Sequence, residues 1–259
     1  MKMHIEPAQR LIVAVDVDPA RDPARVLKTG DVWQETMRLI GDLGSLDLCI
    51  KVHSLSRAVG CDQLGPMVET FGLRFFSDTK LFDSPDTLRR EAHLLNEIRP
   101  AFVTVMCSCG LEGLTVFRET LSRETKVLGV TLLNHMQEKE VEQHHGRSIA
   151  DTIVHFAKVA QAAGLDGLML GARNIQAVLD AGVTGLQFAA PTVRPDWFTA
   201  SDNSPDADQA VTPSEAIALG ATWIIVGDPI TDAKPNTKGL PQNPRQAAMR
   251  IIQEITPPA

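Results

Sequence analysis

The stretch Asp78-Thr79-Lys80-Leu81-Phe82-Asp83 sets two carboxylates and an ammonium within six residues. The residues before it, 73–77, read as a strand. Side chains on a strand alternate between faces, so Asp78 and Lys80 project to the same side. Asp83 falls just past the strand end, within reach of that cluster or of a neighbouring subunit. Lys51 closes another apolar strand that begins at Leu46. Ammonium and carboxylate groups alternating at strand ends suit a reaction that develops negative charge on carbon and ends by protonating it. The competing reading is a structural ion network that closes the fold, with Lys51 a strand-end lysine reaching for solvent.

The elements that must position these groups alternate along the whole chain. Strand-like apolar runs occupy residues 11–17, 46–52, 73–79, 101–106, 127–133, 167–170, 185–189 and 222–226. Helical patterns fall between them, for instance at 84–98, 148–163, 174–181, 213–219 and 243–255. Thr212 followed by Pro213 reads as an N-cap and a first helical residue. Runs so continuously apolar are buried on both faces, as parallel strands are. Eight strand–helix units in 259 residues predict a single (β/α)8 TIM barrel spanning residues 1–259, in preference to an open doubly wound sheet. In such a barrel the C-terminal strand ends form the active face. Strand counting therefore gathers Asp16, Lys51, Asp78, Lys80, Asn134, Arg194, Gly227 and Asp228 around one mouth. The longest loop, about 191–211, follows the seventh strand, where barrels often hold a phosphate.

The formal charge of −7, with no run of Lys or Arg, argues against a nucleic-acid partner. No apolar run approaches a membrane span, and the first residues lack the apolar core of a signal peptide. Four cysteines fit a reducing compartment, so the expected location is the cytoplasm. Cys107-Ser108-Cys109 lacks a usual zinc or thioredoxin spacing, and these read as small buried thiols. His144 and His145 are adjacent, so on a helix they face different directions and no metal site is expected. Asn174, after Gly171-Ala172-Arg173, reads as an N-cap, and Arg173 as a possible phosphate contact.

Taken together, the motifs resemble those of the orotidine 5′-monophosphate decarboxylase family. The matching pieces occur in the family's order. They are Leu11-Ile12-Val13-Ala14-Val15-Asp16-Val17, Ile50-Lys51-Val52 and Asp78-Thr79-Lys80-Leu81-Phe82-Asp83-Ser84-Pro85-Asp86-Thr87. Val103-Thr104-Val105, Gly129-Val130-Thr131-Leu132-Leu133 and Pro191-Thr192-Val193-Arg194-Pro195 continue the series. Val211-Thr212-Pro213 and Val226-Gly227-Asp228-Pro229-Ile230-Thr231 complete it. The resemblance implies cofactor-independent decarboxylation of orotidine 5′-monophosphate to uridine 5′-monophosphate, with no metal and with Lys80 protonating C6. Asp78 then lies beside the substrate carboxylate, and Lys51 ties the charge network to the ribose. Asp16 binds the ribose. Asp83 and Thr87 complete the site of the partner in a homodimer. Asn134 faces the pyrimidine, and Gln209 matches the family's loop glutamine, although the spacing from Gln209 to Thr212 is short. Arg194 and Gly227 serve the phosphate end.

One position breaks the pattern. The family carries an arginine directly after the glycine of the eighth strand, gripping the 5′-phosphate, and here that residue is Asp228. Leaving a desolvated charge unpaired costs roughly 3–5 kcal/mol. A carboxylate ~4 Å from the phosphate adds repulsion on the order of 4 kcal/mol. Three accounts are open: Arg194, Arg173 or Lys234 replaces the missing cation; the substrate lacks the phosphate; or the activity is lost. Met106, where many relatives have histidine, and Ser84, where they have isoleucine, are further departures. The alternatives to the phosphorylated substrate are thus an unphosphorylated or modified orotate nucleoside or a sugar acid, and an inactive barrel that binds a nucleotide or a protein.

Overall fold

A computed structural model describes residues 5–20, 26–198, 209–233 and 239–257. Eight parallel strands close into a barrel in chain order. They are β1 (Leu11–Ala14), β2 (Cys49–Val52), β3 (Arg74–Leu81), β4 (Phe102–Met106), β5 (Lys126–Val130), β6 (Gly167–Met169), β7 (Gln187–Ala190) and β8 (Trp223–Val226). The expected (β/α)8 architecture is thus observed. The helices are α1 (Pro7–Arg10), α2 (Thr29–Leu43), α3 (Ser54–Val59), α4 (Cys61–Thr70), α5 (Pro85–Ile98) and α6 (Gly110–Thr120). They continue with α7 (Glu138–His145), α8 (Ile149–Ala162), α9 (Ile175–Asp180), α10 (Pro213–Ala218), α11 (Asp228–Thr231) and α12 (Pro244–Glu254).

The strands are buried on both faces because each contributes to two cores. Ile12, Cys49, Phe76, Phe102, Leu128, Met169, Trp223 and Ile225 fill the barrel interior. The intervening residues, such as Val13, Ile50, Val103 and Val226, pack against the helix layer. Phe76, Phe102 and Trp223 interlock, with ring centroids 5.4 and 4.9 Å apart, and Lys126 Nζ lies 5.7 Å from the Trp223 ring centroid. This aromatic layer sits towards the N-terminal end of the barrel and leaves the C-terminal end to polar groups.

Several strands stop earlier than their apolar composition predicts. β1 ends at Ala14 and β5 at Val130, where 11–17 and 127–133 were expected. Val15 and Thr131 stay buried and Val17 and Leu132 half-buried just past the strand ends, and apolar composition alone does not distinguish such loop residues from strand. β7 starts at Gln187, after Gly185 turns the chain with φ of 79°. β3 runs on to Leu81 through a register shift against β4 between Ser77 and Leu81. The predicted start of α10 is observed. Thr212 Oγ1 accepts the Glu215 amide at 3.2 Å, and the Glu215 carboxylate accepts the Thr212 amide at 2.8 Å, a reciprocal cap.

Candidate active site

Strand parity builds the site. Ile12, Cys49, Phe76 and Phe102 point into the barrel, so residues two and four further on continue up the same face. On β1 that progression leads to Ala14 and then Asp16, and on β2 to Lys51 and His53. On β3 it leads to Asp78 and Lys80, and on β4 to Thr104 and Met106. Four charged side chains meet there. Lys51 Nζ bridges Asp16 Oδ2 at 3.1 Å and Asp78 Oδ2 at 2.8 Å, and Lys80 Nζ donates to the same Asp78 Oδ2 at 2.8 Å. Asp16 Oδ1 accepts the His53 and Ser54 amides at 2.8 and 3.2 Å. Asp78 is 1 % exposed, whereas the Lys80 side chain is 24 % exposed and faces the mouth.

Burial works to raise the Asp78 carboxyl, but the Lys51 and Lys80 ammoniums outweigh it and hold the group below its ordinary value. Burial likewise works to lower Lys51, and Asp78 with Asp16 outweighs it, so its ammonium is held above the ordinary lysine value. The quartet is thus a matched set of two positive and two negative groups. Lys80 itself occupies the left-handed region with φ of 47°. Its amide donates to Thr104 Oγ1 at 2.9 Å, and the Thr104 hydroxyl donates to Asp78 Oδ1 at 2.9 Å.

The other expected residues divide between the mouth and the surface. Asp83 makes no ion pair with Lys80 within the chain. It is exposed, and the Ser84 amide and Thr87 hydroxyl hold its carboxyl below the ordinary value. Asn134 Nδ2 donates to Thr192 Oγ1 at 2.9 Å, linking the loops after β5 and β7. Asn134 and Gln209 both line a cavity of about 260 Å³, together with Thr131, Glu138 and Asn174. Asn174 stands at the N-cap position of α9 but makes no side-chain cap, which corrects the expectation that capping explains it. Arg194 follows β7, and its amide donates to Val211 O at 2.9 Å, so residues 193 and 211 close the base of the long loop. Residues 199–208 of that loop, and Lys234, lie outside the described residues. Arg173 Nη2 donates to Ala210 O at 3.2 Å, next to that closure. Gly227 directly follows β8, and the exposed Asp228 opens α11. Burial pushes the Cys49 thiol up to about 12 and raises Cys107 as well, and all four cysteines are free. Among the described residues no three His, Cys, Asp or Glu side chains gather in a metal-holding group.

Two residues at the mouth escaped sequence reasoning. His53 follows Lys51 by one strand repeat, and burial, with the Lys80 ammonium, lowers its imidazole below the ordinary histidine value. Thr104 is fully buried and sits in an apolar run, where its hydroxyl gives no outward signal. The interior parity that places Lys51 and Asp78 was the available clue to both.

A charged quartet on an eight-stranded barrel, with the motifs in this order, agrees with the family comparison, in which residues 9–240 match the model described as Orotidine 5′-phosphate decarboxylase / HUMPS family. The chain belongs to that family. It is 31% identical over 189 residues to an orotidine 5′-phosphate decarboxylase of Streptococcus agalactiae serotype III (strain NEM316), covering 72% of this chain and 76% of that protein. It is also 31% identical over 169 residues to the enzyme of that name from Streptococcus pyogenes serotype M49 (strain NZ131), covering 64% and 72%. Among solved structures, an orotidine 5′-phosphate decarboxylase from Lactobacillus acidophilus superposes with a TM-score of 0.73 at 22% identity, over 96% of this chain and 100% of that one. An uncharacterized conserved protein from Geobacillus kaustophilus gives 0.72 at 21%, over 95% and 100%. As a member of the orotidine 5′-phosphate decarboxylase / HUMPS family, the chain is divergent, and its Asp228 lies within the matched span.

Proposed function

We propose that the chain decarboxylates orotidine 5′-monophosphate to uridine 5′-monophosphate without a metal or cofactor. The observation that carries this reading is the double donation of Lys51 and Lys80 to one buried Asp78 oxygen, with Lys80 turned to the mouth. The substrate carboxylate docks beside Asp78. The bond from C6 to that carboxylate breaks, carbon dioxide leaves, and the electron pair stays on C6. The Lys80 ammonium faces this charge from a fixed position, stabilises it and gives up one N–H proton to form the C6–H bond. Lys80, partly exposed, regains its proton from solvent. Lys51 and Asp16 hold the ribose, Asn134 and Gln209 face the pyrimidine, and Arg194 and Gly227 take the phosphate end.

Asp83 and Thr87 serve the site of a second subunit in this reading. Their hydrogen bonds go to Ser84 and not to the quartet, and neighbouring Phe82 is 66 % exposed, an apolar ring suited to burial against a partner. A groove of about 970 Å³ between α4 and α5 opens beside Phe82 and Leu94.

Asp228 favours a second reading, decarboxylation of an orotate nucleoside without the phosphate, with the carboxylate accepting a hydroxyl or amine. Against it stand Arg173, whose guanidinium donates to Ala210 O, and Arg194, whose backbone amide donates to Val211 O, two cationic residues at the base of the β7 loop. The deciding experiment compares binding and turnover of orotidine 5′-monophosphate and orotidine, followed at the ultraviolet band lost on decarboxylation. A large preference for the nucleotide, lost in Arg194→Ala, supports the first reading. Preference for the nucleoside supports the second. Silence on both sinks the two together and leaves a binding barrel.

A further inference from the structure

We propose that Thr104 is a positioning residue, its hydroxyl coupling the left-handed backbone of Lys80 to the Asp78 carboxylate and thereby fixing where the ammonium sits. The inference rests on Lys80 being the proton donor of the preceding section, and it adds a residue from β4 that never reaches the substrate.

The hydrogen bonds allow only one orientation. The Lys80 amide can only donate, so it occupies a lone pair of Thr104 Oγ1 at 2.9 Å. The hydroxyl proton is then left for Asp78 Oδ1, also at 2.9 Å, and an ionised carboxylate can only accept. Thr104 is 0 % exposed, so neither bond is exchanged with water. The register shift between Ser77 and Leu81 takes Lys80 out of the regular ladder with β4. Thr104 supplies a side-chain acceptor where the ladder would have supplied a carbonyl. A non-glycine residue at φ of 47° persists only where its surroundings over-determine it. Here one hydroxyl ties that backbone to the same carboxylate that holds the lysine's ammonium at 2.8 Å. The result is a closed circuit, Lys80 amide to Thr104 to Asp78 to Lys80 ammonium, in which backbone and side chain of one residue are fixed from both ends. Valine has the shape of threonine but breaks the circuit at both bonds.

The test is Thr104→Val against Thr104→Ser, both with kinetics on orotidine 5′-monophosphate and both with crystal structures. A misplacement of about 1 Å costs about 10²-fold in rate, so kcat of the valine variant is expected to fall by roughly that factor. KM should stay within about twofold, because Thr104 contributes nothing to ground-state binding. Serine should restore most of the rate, since it returns the hydroxyl without the methyl. In the valine structure Lys80 should leave the left-handed region and its Nζ should part from Asp78. Unchanged kcat in a folded valine variant overturns the proposal, as does a serine variant as slow as valine. If the valine variant does not fold, Thr104→Cys keeps a weak donor in a similar volume and allows the same comparison. If the parent protein is silent on every orotidine substrate, the functional reading has failed while the positioning claim still stands or falls on the structures. Retention of the Lys80 backbone and its 2.8 Å contact in the valine variant would then refute it.

Discussion

The two oxygens of Asp78 have different neighbours. Oδ2 receives both ammoniums, while Oδ1 receives the Thr104 hydroxyl. The group is therefore ionised at a lower pH in the folded chain than in the unfolded one. Its contribution to stability is fully present above the unfolded carboxylate value of about 3.9 and is lost as pH falls through the lower folded value. Lys51 has the opposite sign: its contribution is present below the ordinary lysine value and is lost as pH rises through the raised folded one. Thermal unfolding of the wild type should thus fall more steeply on acidification, from about pH 5 downward, than that of Asp78→Asn. Parallel curves for the two proteins would show that Asp78 is not the linked group. Lys80→Ala should lose activity by roughly 10²–10⁴-fold, the span expected for a positioned proton donor, with its fold intact by circular dichroism. At this scale the charged residues were legible from their types and spacing, because charge at an apolar strand end is conspicuous. Thr104 was not, since a threonine between two valines reads as ordinary strand. The left-handed backbone of Lys80 was equally hidden, as no glycine or asparagine marks it.

At the scale of elements, β3 and β4 part from a regular ladder only beside the charged quartet, and the opposite end of the barrel is held by a different device. Arg118 on α6 is buried and donates to Thr125 O, Leu121 O, Ser122 O and Asp166 Oδ2, the last at 2.6 Å. Asp166 Oδ2 also accepts the Val127 amide at 2.9 Å, so one guanidinium ties the end of α6 to the starts of β5 and β6. Arg118→Met should destabilise the chain by about 3–5 kcal/mol in denaturant unfolding, because a partly buried carboxylate and several carbonyls lose their donor. The same variant, assayed well below its melting temperature, should keep wild-type kcat, since Arg118 lies at the far end of the barrel from the mouth. A proportional loss of kcat would connect the two ends. The number of strands and their order were legible from apolar runs spaced by helical patterns. Strand ends were not, because Val15, Val17 and Leu132 remain in or against the core after the strand has stopped. Asn174 misled for a related reason: its position at the helix start was right, yet its side chain turns to the cavity beside Asn134.

At the scale of the whole molecule, an equimolar mixture of Asp83→Ala and Lys80→Ala proteins tests for shared sites. Each alone should be inactive. After exchange of subunits, half the dimers are mixed and each carries one intact site, so about a quarter of wild-type activity should return. No recovery under conditions that exchange subunits would confine the site to one chain. No helix among the described residues is long and apolar enough to cross a membrane. The order of the strands carries a last consequence. Asp16, Lys51, Asp78, Lys80 and Thr104 all come from β1 to β4 and the turns that follow them, whereas Asn134, Arg173, Arg194 and Asp228 come from β5 to β8. A chimaera joined in the turn between α6 and β5 would therefore exchange one set while inheriting the other whole, and a laboratory lineage confined to the C-terminal half would explore new ligands beside an unaltered charged quartet.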